Sequence, residues 1–422
     1  APKIENWFSF RENGTVRMVS GKVEIGQGIN TAFMQIAAEE LDINPERIEL
    51  SAGDTRDCLD GGCTSGSQSM QTEGVSLRKA ASAARMLMLE KAAELLQSDI
   101  NNIEIKDGEF FLNGSSTKLS YWSLAKDVKL DKSVEKYMKP KTKEQKRLMG
   151  KSLKRIDLHD KILGKHKFIH DLEFDQMLHA RVIRPPSASS RLISIDKENI
   201  KKLIVDGSFV AVVSKNEEDA VQLVNKVNKQ CHWTQVKTAI TDPIEYIRNT
   251  DAPMTLSLDK GNIETAEGTN ISTEASRNFL CHASIGPCCS IAHWGDKKLS
   301  VYTHSQAPFP MKRTLSAIFK KPEDDIDVQH YHGSGCYGHN GADDVVLDAV
   351  LIAKELIGHH VRVVWSREDE LSSSPLAPGM VTKIDAKIGS KGEINSFDVL
   401  VKSPPHVKRP AGKNGEYLLA AE

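Results

Sequence analysis

The chain has 422 residues, 39% of them hydrophobic and 27% charged, with 56 Lys+Arg against 57 Asp+Glu. At roughly 100 to 200 residues per domain this length gives two to four domains with a core large enough to stand without disulfides. The balanced charge argues against a generally basic nucleic-acid binder, and no apolar run approaches the ~18 to 20 residues of a membrane span, so neither a nucleic-acid partner nor a spanning segment is expected. The first residues, Ala1-Pro2-Lys3-Ile4-Glu5-Asn6-Trp7, lack the apolar centre of a signal peptide. A cytoplasmic protein is expected, or a periplasmic one if a targeting segment has been removed.

In chain order, Asn13-Gly14 marks a tight turn between strands at 7–10 and 15–19. Thr31, Ala32, Phe33, Met34, Ile36, Ala37, Ala38 and Leu41 recur at helical spacing, with Asn30 or Thr31 as cap, until Asn44-Pro45 stops the helix. A strand follows at 48–51, then a polar stretch 53–74 and an Ala-rich helix at 75–96. Asp107-Gly108 and Asn113-Gly114 predict a small meander over 101–120. These elements make a first unit, 1–125. The lysine-dense segment 126–149 reads as an exposed linker. A second unit, 150–237, carries strands at 166–169, 178–183 and 209–213 and a helix at 217–227. A polar connection, 238–270, leads to a third unit, 271–422, with strands at 299–303, 325–330 and 361–365 and a helix at 344–356.

Seven cysteines (Cys58, Cys63, Cys231, Cys281, Cys288, Cys289 and Cys336) form no C-x-x-C pair, which disfavours a zinc ribbon, an iron–sulfur site or a disulfide scaffold. The adjacent Cys288-Cys289 reads as two buried thiols, because a vicinal bridge is strained.

Three stretches place glycine and small polar residues at the mouth of a helix, where backbone can approach a ligand and N–H groups can face an anion. They are Gly26-Gln27-Gly28, the run 61–69 containing Thr64, Ser65, Gly66, Ser67 and Gln68, and the run 333–341 containing Gly335, Cys336, Tyr337 and Gly338. Neither the P-loop ending nor the dinucleotide fingerprint is present, so a phosphate-bearing ligand would be held in some other frame.

Taken together and in order, these motifs resemble the molybdopterin-binding large subunit of the xanthine oxidase and aldehyde oxidase family. Gly21-Lys22-Val23-Glu24-Ile25-Gly26-Gln27-Gly28, Gly53-Asp54-Thr55 and Gly62-Cys63-Thr64-Ser65-Gly66-Ser67 resemble one cofactor-binding segment. Arg155-Ile156-Asp157, His170-Asp171-Leu172 and the run Met177 to Pro186 resemble the family's hammerhead α/β domain. His282 to Pro287, Thr303 to Gln306, Gly333 to Gly338 and Trp365 to Asp369 resemble a second cofactor-binding segment. The implied fold is α+β, with molybdopterin-binding segments flanking the hammerhead. The order of motifs resembles the isoquinoline oxidoreductase and nicotinate dehydrogenase branch more than xanthine dehydrogenase itself.

That resemblance implies one part of a molybdenum hydroxylase, which binds molybdopterin cytosine dinucleotide with Mo and oxidises an N-heterocycle or an aldehyde with water as the oxygen source. Electrons would pass to [2Fe-2S] clusters on an iron-sulfur partner subunit. The metal would be held by the pterin dithiolene, with no direct protein ligand. Gln306 matches a glutamine beside the metal's oxo ligand, Cys336-Tyr337-Gly338 match a stretch whose backbone lies over the metal, and Tyr337 and Gly338 are therefore taken as catalytic with Gln306. Gly26, Gln27, Gly28, Thr64, Ser65, Gly66, Ser67, Gln68 and Gly335 to Gly338 are taken as cofactor-binding. His282 is expected to be structural, and Gly286 stands where relatives carry an acidic contact.

The family's base glutamate lies in a Gly-x-Gly-Glu stretch, and Asn414-Gly415-Glu416 is a poor match for it. Glu24, Glu40 and Glu73 read as surface or turn carboxylates. The base is thus expected on a second molybdopterin-binding chain or on a C-terminal half, and this chain as about half of the catalytic machine. Two alternatives remain: a cofactor-carrying or inactive scaffold subunit, and a cysteine hydrolase using Cys336 with His332 or His339.

Overall fold

The computed structural model describes residues 2–187, 189–195, 203–236, 240–405 and 418. Its first layer grows from the strands Phe8–Phe10 and Val16–Ser20, paired antiparallel, with Ile48–Ala52 added in parallel to the second. The helix Ile29–Leu41 is the crossover between those parallel strands, and Val75–Leu96 packs on it. A π-turn, Met70–Gly74, feeds that second helix, and the alanines Ala80, Ala81, Ala83, Ala84 and Ala92 on its buried face let the two helices approach. The meander forms at Ile103–Lys106, Glu109–Leu112 and Ser115–Ser120.

The segment 126–149 is not an exposed linker. Its turn of helix Val134–Tyr137 packs against Val75–Leu96, and Val134 is buried in the first core. Lys141 is 7% exposed and reaches Asp42 (2.5 Å) and Glu39 (3.4 Å). The lysines that suggested a solvated tether include one that neutralises buried acid, and composition does not distinguish the two.

The second layer is a seven-stranded sheet in the order Ile326–His330, Leu299–Thr303, Cys289–Trp294, His360–Val364, Leu178–Ile183, Phe209–Ser214, Leu203–Asp206. Two of the six pairings are parallel, 299–303 with 326–330 and 360–364 with 178–183; the others are antiparallel. The sheet therefore crosses the division drawn between 150–237 and 271–422. Ala180, Val182, Ala211 and Val213 share one core with Ala292, Val301, Val328 and Val346. Arg184 adds an ion pair to buried Asp348, which also accepts from Trp365 Nε1 (2.9 Å). The opposite face of the same strands, at Ile183, Val210 and Val212, forms a smaller core containing Val227 of the helix Glu217–Asn228.

Two further expectations change. Residues 166–169 are not a strand: the Phe168 N–H donates to the Asp171 carboxylate (3.0 Å) and a short 3-10 turn, Ile169–Asp171, follows. Within the polar connection, Asp242 caps the helix Pro243–Asn249 by accepting from the Ile244 and Glu245 N–H groups, the usual Asp-Pro helix start. A separate antiparallel sheet, Thr269–Arg277 with Met380–Ile388 and Ile394–Lys402, stands beside the main one. All seven cysteines are free thiols, with Cys288 and Cys289 fully buried. Among the described residues no helix is long and apolar enough to cross a membrane.

Candidate functional site

The first and third units meet along the outer edge of the seven-stranded sheet, and that seam gathers the predicted motifs. The His330 N–H donates to the Gly53 carbonyl (3.0 Å), and Thr55 exchanges hydrogen bonds with Val328 through its N–H (3.0 Å) and hydroxyl (2.9 Å). Gly53 sits at φ +69°, and a Cβ there would lie 2.7 Å from His330, so glycine is required for this approach. The seam then closes on a reciprocal pair. The Thr64 N–H donates to the Gln306 carbonyl (2.9 Å), and Gln306 Nε2 donates to the Thr64 carbonyl (2.9 Å). Thr64 Oγ1 also accepts the Val23 N–H (3.0 Å), and Lys22 Nζ reaches the Cys63 carbonyl (2.8 Å). Gln306 keeps a second amide hydrogen for another acceptor.

The Gly26-Gln27-Gly28 turn is organised differently from the expected phosphate cradle. Glu24, 2% exposed, accepts the N–H groups of Gly26 (2.9 Å), Gly28 (2.8 Å) and Asn30 (3.3 Å). A protein carboxylate thus fills the anion position at the mouth of the helix Ile29–Leu41. Gln27 folds back, accepting from the Ile25 N–H (2.7 Å) and donating to the Val23 carbonyl (3.0 Å). Arg155 donates to the Gly26 carbonyl (2.8 Å), pairs with Asp157 (2.8 Å) and stands 3.7 Å from Glu24.

The expectation that Glu24 and Glu40 are surface carboxylates is corrected, because both are buried. Glu40 pairs with Arg78 (2.9 Å) and Arg85 (3.7 Å). Next to it Glu39 accepts three consecutive N–H groups, from Arg147, Leu148 and Met149. Burial alone would raise its pKa, yet those donors hold it below the ordinary glutamate value. Glu73 is half-buried, its pKa raised by burial, with Trp7 Nε1 donating to it at 3.4 Å.

The Ser65-Gly66-Ser67-Gln68 turn is exposed along its whole length, with Gly66 and Ser67 both left-handed (φ +62° and +57°). A Cβ at Gly62 would meet nothing within 4 Å, so bare backbone faces open space there. Hydroxyls, a carboxamide and left-handed backbone are the chemistry that receives phosphate oxygens. Near this turn lies the third glycine run. Gly335 (φ +112°) sits under the Tyr337 ring, Tyr337 itself is left-handed and 59% exposed, and Gly338 (φ +142°) would place a Cβ 2.2 Å from His282. His282 Nδ1 bonds the Tyr337 carbonyl (3.0 Å), which is a turn-holding position. Cys336 is 6% exposed and donates to the Gly338 carbonyl (2.8 Å).

Burial pushes the thiols of Cys63 and Cys336 above their ordinary pKa, which suits neither metal thiolates nor a nucleophile. The histidines considered as partners for Cys336 are engaged elsewhere: His339 bonds Asp343 (3.0 Å) and His332 lies against His166 with ring centroids 4.5 Å apart. Asp343 also accepts from Ser305 Oγ (2.5 Å). Burial lowers His304 to about 3, and His332 likewise, so both rings are neutral. Asn414-Gly415-Glu416 lies outside the described residues.

The structure thus joins Thr64 to Gln306 directly and places Cys63 within the electrostatic reach of Cys336 and Asp343. It turns Gln27 away into local bonds. Sequence reasoning missed Glu24 as the filler of its own turn, and His330 and Lys22 as seam residues. The close spacing of Glu24 to Gly26 and Gly28 was a signal for the first; the other two had none.

Two family models match the chain, both described as molybdopterin cofactor-binding domains, at residues 5–152 and 249–403. The chain is 31% identical to a nicotinate dehydrogenase subunit of Pseudomonas putida, an alignment that covers 93% of this chain and 34% of that one. It is 22% identical to the beta subunit of isoquinoline 1-oxidoreductase of Brevundimonas diminuta, covering 92% and 57%. The chain therefore spans between about a third and somewhat over half of these relatives' length. The crystal structure of quinoline 2-oxidoreductase from Pseudomonas putida 86 aligns at TM-score 0.48 and 17% identity, over 60% of this chain and 39% of that one. With Thr64 from the first match latched to Gln306 from the second, the chain carries two molybdopterin cofactor-binding domains and belongs to the molybdopterin-binding proteins of the xanthine oxidase family.

Proposed function

We propose that this chain is the cofactor-holding part of a molybdenum hydroxylase that oxidises an N-heterocycle or an aldehyde, taking oxygen from water and passing electrons to [2Fe-2S] clusters on a partner subunit. The observation that carries the reading is the Thr64–Gln306 pair, which ties two separately matched cofactor-binding domains together at the predicted motifs. A molybdenum–pterin dinucleotide, when bound, supplies the two-electron oxidation. The residues of this chain bind and orient. Ser65, Ser67, Gln68 and the Gly66 backbone receive the phosphates. Gln306 offers its second amide hydrogen to an oxygen on the metal side. Cys336-Tyr337-Gly338 present backbone over the same space, held by His282. Glu24 fixes the Gly26–Gly28 turn as a rigid wall, so the contribution of that turn is shape rather than anion contact.

Two carboxylates beside these motifs are already engaged, Glu24 by backbone N–H groups and Asp343 by Ser305 and His339. In this reading the base comes from polypeptide beyond this chain, either a further molybdopterin-binding portion or a co-purifying subunit. The test is elemental and nucleotide analysis of the complex isolated with its natural partners. Near-stoichiometric molybdenum and acid-releasable cytidine monophosphate are expected. A complex free of both, prepared from cells supplied with molybdate, overturns the proposal.

A further inference from the structure

The three-stranded sheet of Thr269–Arg277, Met380–Ile388 and Ile394–Lys402 has two unlike faces. Residues opposite one another across a ladder share a face, and residues two apart along a strand stay on it. One face carries Glu274, Lys383, Asp385, Lys387, Asp398 and Lys402 by this register. The chain itself crosses part of that face. Arg248 Nε donates to Glu274 (3.0 Å), Lys402 Nζ to the carbonyls of Arg248 (2.7 Å) and Thr250 (3.1 Å), and Lys387 Nζ to that of Ala266 (2.8 Å).

The other face carries Ile271, Ile394, Phe397, Val399 and Val401, which are 49%, 63%, 61%, 40% and 51% exposed. Its remaining positions are threonine, alanine, isoleucine or methionine, except for Arg277 at one corner, tied to the Pro378 carbonyl (3.2 Å). A half-solvated antiparallel sheet turns its polar face to water and its apolar face to a core. Here the polar face is covered only in part, with Glu274, Lys383 and Asp398 exposed, while the apolar side chains of the other face stand open to solvent as well.

We infer that the apolar face is the seat of a second layer supplied by the further molybdopterin-binding polypeptide of the same large subunit, the portion by which the relatives exceed this chain. The inference rests on the proposed function. Three observations select this occupant. An alignment covering 92% of this chain takes up only 57% of the isoquinoline oxidoreductase subunit, so relatives carry a large additional portion. The sheet lies inside the second molybdopterin-binding match, 249–403, so its missing layer belongs with cofactor binding rather than electron transfer. The near absence of charge suits a permanent, dry contact, whereas transient interfaces keep a mixed polar character.

The test uses the complex purified with its natural partners, carrying the photo-crosslinking residue p-benzoylphenylalanine in place of Phe397, with Lys383 on the opposite face as the control position. Crosslinked peptides from position 397 are expected in molybdopterin-binding polypeptide beyond residue 422 or in a co-purifying chain of that family. Crosslinks into residues 269–402 of a second copy, into an iron–sulfur subunit, or into nothing overturn the inference. As a second measurement, after limited proteolysis has cut any covalent connection, Phe397→Asp is expected to leave that polypeptide at least about tenfold more weakly retained on affinity capture, with Lys383→Asp retaining it. If Phe397→Asp does not fold, Phe397→Ser is read in its place. Equal retention by the variant and the control overturns the inference. Metal analysis of the same samples keeps the two readings apart: molybdenum with misplaced crosslinks defeats only the docking surface, whereas correct crosslinks without molybdenum defeat only the function.

Discussion

The turns at 24–28 and 333–338 look alike in sequence, since each is glycine-rich and precedes a helix, yet they are held by opposite means. In the first, the buried Glu24 carboxylate accepts three backbone N–H groups. In the second, imidazoles line the turn: a Cβ at Gly333 would lie 2.6 Å from the His304 ring, and His282 bonds the Tyr337 carbonyl. The first is therefore an internal ion site, and the second is a sterically tight shelf whose packing depends on His304 staying neutral. Glycine at a helix mouth reports that backbone is closely approached. It does not report whether the visitor is a ligand, a carboxylate of the same protein or a histidine ring.

The sharpest way to break the comparison is to empty the first turn. Glu24→Ala leaves the Gly26, Gly28 and Asn30 N–H groups without their acceptor, while Arg155 keeps Asp157, and should cost about 3 kcal/mol of stability, read by chemical denaturation. Glu24→Gln keeps the shape and one acceptor and should cost roughly 1–3 kcal/mol. A variant as stable as the parent would mean that the carboxylate does not organise the turn.

Acid should act on the second turn. His304 and His332 have folded pKa values of about 3, below the ordinary histidine value. The unfolded chain takes up protons first, so stability is fully present above about pH 6.5 and falls as pH drops from there toward 3, by up to about 1.4 kcal/mol per pH unit for each ring. Replacing His304 by Gln should flatten a pH series of thermal midpoints over that window. An unchanged slope would mean that His304 does not carry the acid sensitivity.

Gly338→Ala puts a methyl group against His282 and should cost about 1–3 kcal/mol, together with molybdenum content if Tyr337 and Gly338 bound the cofactor. The smallest structural effect is expected at the seam. Gln306→Ala removes one amide donor to Thr64 and should cost about 1 kcal/mol or less, while lowering turnover much more than that loss would suggest. Equal, small losses in stability and turnover would reduce Gln306 to a latch.

Much of the local architecture was legible in the sequence. The helices at 29–41 and 75–96, the hairpin at Asn13-Gly14 and the meander followed from periodicity and turn chemistry, which act over a few residues. The ordered motifs were legible too, because they are local backbone shapes. The linker at 126–149 was misread because a lysine that meets Glu39 and Asp42 across about 100 residues looks, in composition, like one that meets water. The division between the second and third units failed for a related reason. The pairing of 360–364 with 178–183 joins strands far apart in sequence, and nothing within either strand announces its neighbour.

The sequence by itself determined most helices and strands of the first unit and which short stretches would bring backbone near a partner, since those properties come from side-chain period and from glycine's freedom at positive φ, but not the helix Pro243–Asn249 or the sheet of Thr269–Arg277, Met380–Ile388 and Ile394–Lys402. Tertiary structure decided what met that backbone. Glu24 found its donors within its own turn, whereas burying Glu39 and Glu40 obliged each carboxylate to find donors, and the fold provided them from segments that no local pattern links. The Thr64–Gln306 latch, between residues 242 positions apart, is of the same kind. Neither stretch announces the other, and only the closing of the seam brings the two cofactor-binding domains together there.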